Sequence, residues 1–343
     1  MKVVVPQPTG NPEEYEVLRA AGHEVVFGRP YGFRSAARPY SDRSGFTEEE
    51  LIELTKDADV IIHGATRRPI MAAAKNLRAV VGPAIGYERQ DVAAANELGI
   101  VVCNSPSVEN FTGVAEATIG LMMALGKRIK HKEAIIRRGE WGTDADRGFL
   151  LTGKTVGIIG FGRTGTGVAK RLQGWDCRII TYDPYVSPEK AAMMGVEMVD
   201  DLSTLLEQSD YVTLHVVVTP ETTNMISEEQ FKQMKPTAYL INTSRGQPID
   251  DAAFCKAIND GEIAGAALDV YWTEPLAADS PLRDLDQEKV ILTPHNIAQS
   301  PDSRVGNLNL ALQGALEVLA GKVPTNCVNP DVLPVWKQRW GIA

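Results

Sequence analysis

An α/β fold of two doubly wound parallel-sheet domains is predicted by three features of the sequence. Short apolar runs alternate with helical stretches along most of the chain. One run, Val156 to Ile159, enters a glycine-rich turn and then a helix. The length, 343 residues, suits two cores of ordinary size.

The elements follow in order. Lys2 to Val5 is a strand, Pro12 to Ala21 is helical, and His23 to Phe27 is again a strand. Gly28 to Phe46 is a polar loop with Arg29, Arg34, Arg38 and Arg43. Thr47 caps a helix over Glu48 to Ala58, and Glu50 completes the capping box. The strand Asp59 to His63, the helix Ala72 to Asn76, the strand Ala79 to Gly82, the helix Asp91 to Leu98 and the strand Ile100 to Val102 complete an open domain of about five parallel strands. Ligands of such sheets sit beyond the carboxyl ends of strands, which singles out the exits Thr66 to Arg68 and Ala84 to Gly86.

A long helical stretch from Asn110 to Arg138 comes next; its basic run Lys127 to Arg138 reads as a solvated face. The turn Gly160-Phe161-Gly162-Arg163-Thr164-Gly165 then has the G-x-G-x-x-G register. The first glycine turns the chain off the strand, the second lets backbone approach a pyrophosphate, and the third lets helix and strand pack closely. Unpaired N–H groups at the helix start favour the phosphates. Val168, Leu172 and Trp175 fall at helical spacing behind it. The next run, Cys177 to Thr181, stops at Asp183, 18 residues past Gly165 and near the distance at which an acid meets the adenosine ribose hydroxyls. A 2′-phosphate would face its charge, so the expected cofactor is NAD.

Alternation resumes with helices at Pro188 to Met194 and Leu202 to Gln208, the strand Tyr211 to Val218, and the helix Glu228 to Met234. The strand Ala238 to Asn242, the helix Asp250 to Asp260 and the strands Ala264 to Val270 and Val290 to Thr293 follow. Ser303 to Leu319 is an amphipathic helix, and the tail from Pro324 has little pattern. The first domain needs that last helix. The expected division is therefore a discontinuous, flavodoxin-like substrate domain, 1–103 and 298–343, with a Rossmann NAD-binding domain, 104–297, inserted in it.

Composition narrows the partners. A net charge of −9 argues against nucleic acid. No run reaches the roughly 18 apolar residues of a membrane span. The four cysteines, Cys103, Cys177, Cys255 and Cys327, form neither a metal-ligand cluster nor a disulfide framework. A cytoplasmic setting is expected, with no metal.

Three residues each sit just past an apolar run of the second domain: Arg245, Glu274 and His295. A hydride moving onto a carbonyl carbon leaves negative charge on oxygen, so the site needs a proton donor and a fixed positive charge. Histidine suits the first task. A carboxylate on its other nitrogen would fix the tautomer and favour the imidazolium, which is the role open to Glu274. Arginine's planar fork can grip an α-keto acid's carboxylate and carbonyl together, which suits Arg245. Each could instead be a turn or surface residue. His215 competes for the histidine role and reads as structural; Asp269 could face the nicotinamide or cap a turn.

The motifs Ile85-Gly86-Tyr87, Val114-Ala115-Glu116, Gly153 to Gly160, Leu214-His215, Thr219-Pro220-Glu221-Thr222, Asn242 to Gly246, Ala267 to Val270, Glu274-Pro275 and Thr293-Pro294-His295 resemble the D-isomer-specific 2-hydroxyacid dehydrogenases over nearly the whole chain. The resemblance implies Arg245, Glu274 and His295 as catalytic residues and the backbone at Ala84, Ile85 and Gly86 as the carboxylate cradle. It puts Gly160, Gly162, Arg163, Thr164, Gly165, Asp183, Val217, Thr222, Thr243 and Asp269 beside the cofactor, and implies a homodimer with Trp141 near the subunit boundary. Arg67, on a first-domain loop beside Arg68, is a candidate for a second anionic group. Val217 replaces the family's usual proline, Ala84 its usual glycine, and Asn296 to Ser300 departs from its usual pattern; the last two changes touch the substrate pocket. The activity implied is reversible reduction of a small 2-keto acid to the D-2-hydroxy acid. An NAD(H)-sensing corepressor-like module and a dehydrogenase of formate or phosphite remain alternatives; formate enzymes pair the histidine with glutamine, against Glu274.

Overall fold

The computed structural model describes residues 1–29 and 45–342. Most of the Gly28 to Phe46 loop, with Arg34, Arg38 and Arg43, lies outside the described residues. Arg29 lies within them and pairs with Glu50 at 2.8 Å. The chain forms two compact units, 1–110 with 300–343, and 111–299.

The first unit is a five-stranded parallel sheet of β1 (Lys2–Val5), β2 (Glu24–Phe27), β3 (Val60–Ile62), β4 (Ala79–Val81) and β5 (Val101–Cys103), in the order β2-β1-β3-β4-β5. That is the flavodoxin-like order. Both faces are covered, so these strands are continuous apolar runs. Val3, Val5, Val60, Ile62, Val81 and Cys103 pack against the helix Pro301–Leu319, while Val4, Ile61, Val80 and Val102 pack on the opposite face with Leu51, Met71 and Leu77. Arg304 fixes the long helix to the N-terminal segment through a two-pronged pair with Glu14, at 2.7 and 2.9 Å.

The second unit is a seven-stranded parallel sheet. Its strands are β6 (Thr155–Ile159), β7 (Arg178–Tyr182), β8 (Glu197–Met198), β9 (Tyr211–Leu214), β10 (Tyr239–Asn242), β11 (Gly265–Leu268) and β12 (Val290–Leu292), in the order β12-β11-β10-β9-β6-β7-β8. From β6 this is the Rossmann order with one strand added, and its direction of growth reverses between β6 and β9.

Several elements differ from expectation for local reasons. The stretch from Asn110 breaks into helices Val108–Gly126 and Ile129–Arg137, because Arg128 adopts φ +53°. The helix after β3 begins at Arg68, with Pro69 in its first turn, where a missing N–H costs nothing. The helix after β6 ends at Leu172, so Trp175 lies beyond it. β9 stops at Leu214 and leaves Val217 exposed. The tail carries a helix, Leu333–Trp340, whose Trp336 is fully buried and donates Nε1–H to Arg78 O at 2.9 Å.

Candidate functional site

The second unit's turn after β6 is shaped by its glycines. Gly160 has φ +90°, and a Cβ there would come within 2.6 Å of His215 O. At Gly165 a Cβ would strike the carbonyl oxygen of Gly160, so the third glycine is demanded by contact between helix and turn. Gly162 caps the helix Arg163–Leu172, and a Cβ there meets nothing within 4 Å. The space before the helix start is open, and its first N–H groups have no partner within the helix. A pyrophosphate fits such a cradle.

Asp183, past β7, accepts a hydrogen bond from Phe161 N on Oδ2 at 2.7 Å and from Tyr185 N on Oδ1 at 2.9 Å. Each carboxylate oxygen keeps a second lone pair for a ribose hydroxyl. The Arg163 guanidinium lies over the Phe111 ring, 5.2 Å from its centroid. Thr164 is half-buried in the first turn. Past β9, Thr222 Oγ1 donates to Val217 O at 2.7 Å, closing the loop at the reversal point of the sheet. Thr243 Oγ1 is 3.0 Å from Thr118 Oγ1.

Arg245, Glu274 and His295 follow β10, β11 and β12, three adjacent parallel strands, so all three leave the same edge of the sheet as the glycine turn. His295 Nδ1 lies 2.7 Å from Glu274 Oε2 and 2.9 Å from Oε1. The Glu274 carboxylate is itself steadied by Tyr271 N, which donates to Oε1 at 3.2 Å. His295 has φ +53°, a conformation costing a non-glycine residue about 1–3 kcal/mol and kept only where the surroundings impose it. They do so through Asp269, buried at the end of β11. Its Oδ1 accepts from Thr293 Oγ1 at 2.6 Å and Asn296 N at 3.1 Å, on either side of the histidine. Arg245 Nη1 donates to Ser244 O at 2.7 Å. The buried Asn242 shapes that turn: its Nδ2 donates to Arg245 O at 2.6 Å and its Oδ1 accepts from Ser244 N at 3.0 Å. His215, the rival histidine, has its ring Nδ1 cut off from solvent, and burial pulls its pKa down to about 3; its Nε2 meets Thr213 Oγ1 at 3.0 Å.

In the first unit, the loop after β4 is braced by the segment after β5. Ser105 N donates to Ala84 O and Asn104 Nδ2 donates to Ile85 O, both at 2.8 Å. A trans peptide directs C=O and the following N–H to opposite sides, so the amides of Ile85 and Gly86 face away from that brace. Arg67 precedes the helix Arg68–Ala73, is exposed, and has no ion pair among the described residues; Arg68 is paired with Glu97 at 2.5 Å. Gln90, which the sequence pattern did not single out, is buried and clamps the loop after β3, taking Thr66 N on Oε1 at 2.9 Å and giving Nε2–H to His63 O at 2.6 Å.

Residues 119–296 match the family model described as D-isomer specific 2-hydroxyacid dehydrogenase, NAD binding domain. The chain belongs to this family. Among family relatives, the D-3-phosphoglycerate dehydrogenase of Methanocaldococcus jannaschii is 40% identical over 294 residues, 85% of this chain and 55% of its own length. The glyoxylate reductase of Thermofilum pendens is 39% identical over 296 residues, 84% of this chain and 86% of its own. The chain thus spans little over half of one relative and most of the other. Among solved structures, the TT0316 protein of Thermus thermophilus superposes with a TM-score of 0.81 at 29% identity, covering 96% of this chain and 100% of that one. The D-lactate dehydrogenase of Escherichia coli does so at 0.78 and 28%, over 96% and 100%. No helix among the described residues is long and apolar enough to cross a membrane. The matched family model is that of a dehydrogenase NAD-binding domain, so the cofactor class is NAD.

Proposed function

We propose that the protein is an NAD-dependent reductase of a small 2-keto acid, working reversibly with the D-2-hydroxy acid. The observation that carries the reading is the His295–Glu274 pair at 2.7 Å, held at the sheet edge from which Arg245 and the glycine turn also leave. Glu274 accepts the Nδ1–H of His295, which leaves Nε2 to hold the proton that the substrate oxygen needs as charge develops on it. Arg245 grips the carboxylate and the carbonyl oxygen. The amides of Ile85 and Gly86 cradle the carboxylate, next to Ala84, and Arg67 meets a second anionic group where the substrate has one. The chemistry that NADH supplies when bound is hydride transfer to the carbonyl carbon. Gly160, Gly162, Arg163, Thr164 and Gly165 would hold its pyrophosphate and Asp183 its adenosine ribose, and Val217, Thr222, Thr243 and Asp269 would also bind it. In this reading 1–103 with 298–343 bind the substrate and 104–297 bind NAD, in a cytoplasmic homodimer.

The test is loss of NADH absorbance with a panel of glyoxylate, hydroxypyruvate, pyruvate, 3-sulfopyruvate and bulkier 2-oxo acids. Steady turnover with one or more is expected, and His295→Asn should lower its kcat by about 10² or more. Near-normal turnover by that variant removes His295 from the mechanism. NADH binding without turnover of any acid would favour a sensor instead.

A further inference from the structure

Two of the four cysteines meet across strands of the first unit. The C-terminal segment returns antiparallel to β5 and forms a single bridge to it, with Cys103 directly opposite Cys327. The hydrogen bonds flank that pair: Asn104 N donates to Asn326 O at 3.2 Å and Val328 N donates to Val102 O at 2.9 Å. A pair flanked in this way is of the non-hydrogen-bonded type, with Cα atoms about 4.5 Å apart. That separation lies inside the window of roughly 4.4–6.8 Å that a disulfide spans.

The side chains also share a face. Cys103 and Cys327 both pack in the cluster under the helix Pro301–Leu319, whereas their neighbours Val102 and Val328 pack on the other side of the sheet. The helix leaves room above them, since it presents Gly314, where even an added Cβ would stay 3.9 Å from Cys103 Cβ. The Cys327 thiol lies 3.7 Å from Asn329 Oδ1, an oxygen that also accepts from Val102 N at 2.8 Å, so it is held against β5.

We propose that Cys103 and Cys327 are a redox-modification site that closes to an intrachain disulfide by exchange with a low-molecular-weight disulfide such as oxidised glutathione. Cys327, half-buried, attacks first: its thiolate forms a bond to one glutathione sulfur and the other leaves as a thiolate. Cys103, wholly buried, then attacks Cys327 Sγ, and the second glutathione leaves. Two cysteine thiols are oxidised, one glutathione disulfide is reduced, and the two thiol protons end on the two glutathiones. Burial pushes both thiols above their ordinary value, so exchange is slow near neutrality and quickens as pH rises. The bond ties the exit of β5, whose Asn104 and Ser105 brace the Ala84–Gly86 loop, to the C-terminal segment.

The experiment incubates the full-length protein with oxidised glutathione at about pH 8.5, near the ordinary cysteine value, then counts thiols after denaturation. The count should fall from four to two, with the peptides of Cys103 and Cys327 joined in a chain lighter by two hydrogens, and dithiothreitol should reverse it. Tm should rise by roughly 5 °C or more. Cys103→Ser should trap glutathione on Cys327. Should that variant fail to fold, Cys327→Ser should retain all three of its thiols under the same treatment. A wild-type count that stays at four, or a bond to Cys177, Cys255 or another chain, overturns the proposal.

Discussion

Thr293 donates its hydroxyl to Asp269 at 2.6 Å, and this contact joins the end of β11 to the turn that carries His295. The same Asp269 oxygen takes Asn296 N, and Tyr271 Oη donates to Thr293 O at 2.8 Å, so both flanks of the histidine are tied to the neighbouring strand. The left-handed backbone at His295 depends on those ties. Asp269→Ala should therefore lower kcat by about tenfold or more, since a displacement near 1 Å can cost about 10² in rate. Thr293→Val, which removes one tie, should act in the same direction and more weakly. Steady-state kinetics on both variants checks this; a kcat unchanged in Asp269→Ala would mean that the turn keeps its shape without the carboxylate.

The glycines of the turn after β6 make separable demands. Gly165→Ala places a methyl group against Gly160 O, so this variant should unfold at a lower temperature and lose NADH binding together. Gly162 has φ −76°, within reach of any residue, and open space before it. Gly162→Ala should keep its Tm within a few degrees and weaken NADH binding by roughly tenfold or more, because under the proposed function the methyl group would stand in the path of the pyrophosphate. Thermal unfolding with NADH fluorescence titration separates the two. Equal Tm losses in both variants would contradict the assignment of Gly162 to ligand approach.

Much of this architecture was readable in the sequence because its rules are local. The spacing of Gly160, Gly162 and Gly165 reports a backbone requirement, and Thr47 with Glu50 reports a cap that the structure contains. That Arg245, Glu274 and His295 leave one edge of the sheet was readable for a similar reason: each lies just past an apolar run that forms a parallel strand. What escaped was long-range. Gln90 reaches His63, 27 residues away, and Asp269 reaches Asn296, another 27. No pattern within either segment signals such a bond. Val216 to Val218 continues the apolar run of β9 beyond the sheet, so hydrophobicity overstates that strand. The helix Leu333–Trp340 is only two turns long and rests on one fully buried side chain, Trp336, too little for a periodic signal.

His131 lies between two carboxylates, with Nε2 2.6 Å from Asp146 Oδ1 and Nδ1 2.5 Å from Glu288 Oε2. These bonds raise its pKa, Asp146 contributing most and Glu288 next, with Arg128 opposing. A histidine raised on folding stabilises fully below its unfolded value, about 6.5, and loses that contribution as pH climbs through the folded value. Asp146 is held down to about 2 by Thr143 N first and His131 next, so its contribution is present above the ordinary carboxylate range and fades as pH falls through 2. The pair is complete between about pH 4 and 6.5. The Tm difference between the wild type and His131→Asn should be largest in that window and shrink toward pH 9. A difference independent of pH would show that His131 acts by packing alone.

Asp183 has two tasks that one substitution can pull apart. Its oxygens accept Phe161 N and Tyr185 N, which fixes the glycine turn to the end of β7, and under the proposed function their remaining lone pairs would serve the ribose hydroxyls. Under the same proposal its charge would also repel a 2′-phosphate. Asp183→Ser removes the charge and most of the acceptor capacity, and a hydrogen bond to a charged group is worth about 1.5–3 kcal/mol. The ratio of kcat/KM for NADH over NADPH should then fall by about tenfold or more, with a small loss of Tm from the loosened turn. Asp183→Asn keeps one oxygen but not the charge, and should spare more of the Tm while still narrowing the ratio. If both variants lose Tm and neither changes the ratio, Asp183 is a clamp on the turn and the preference for NAD has another origin.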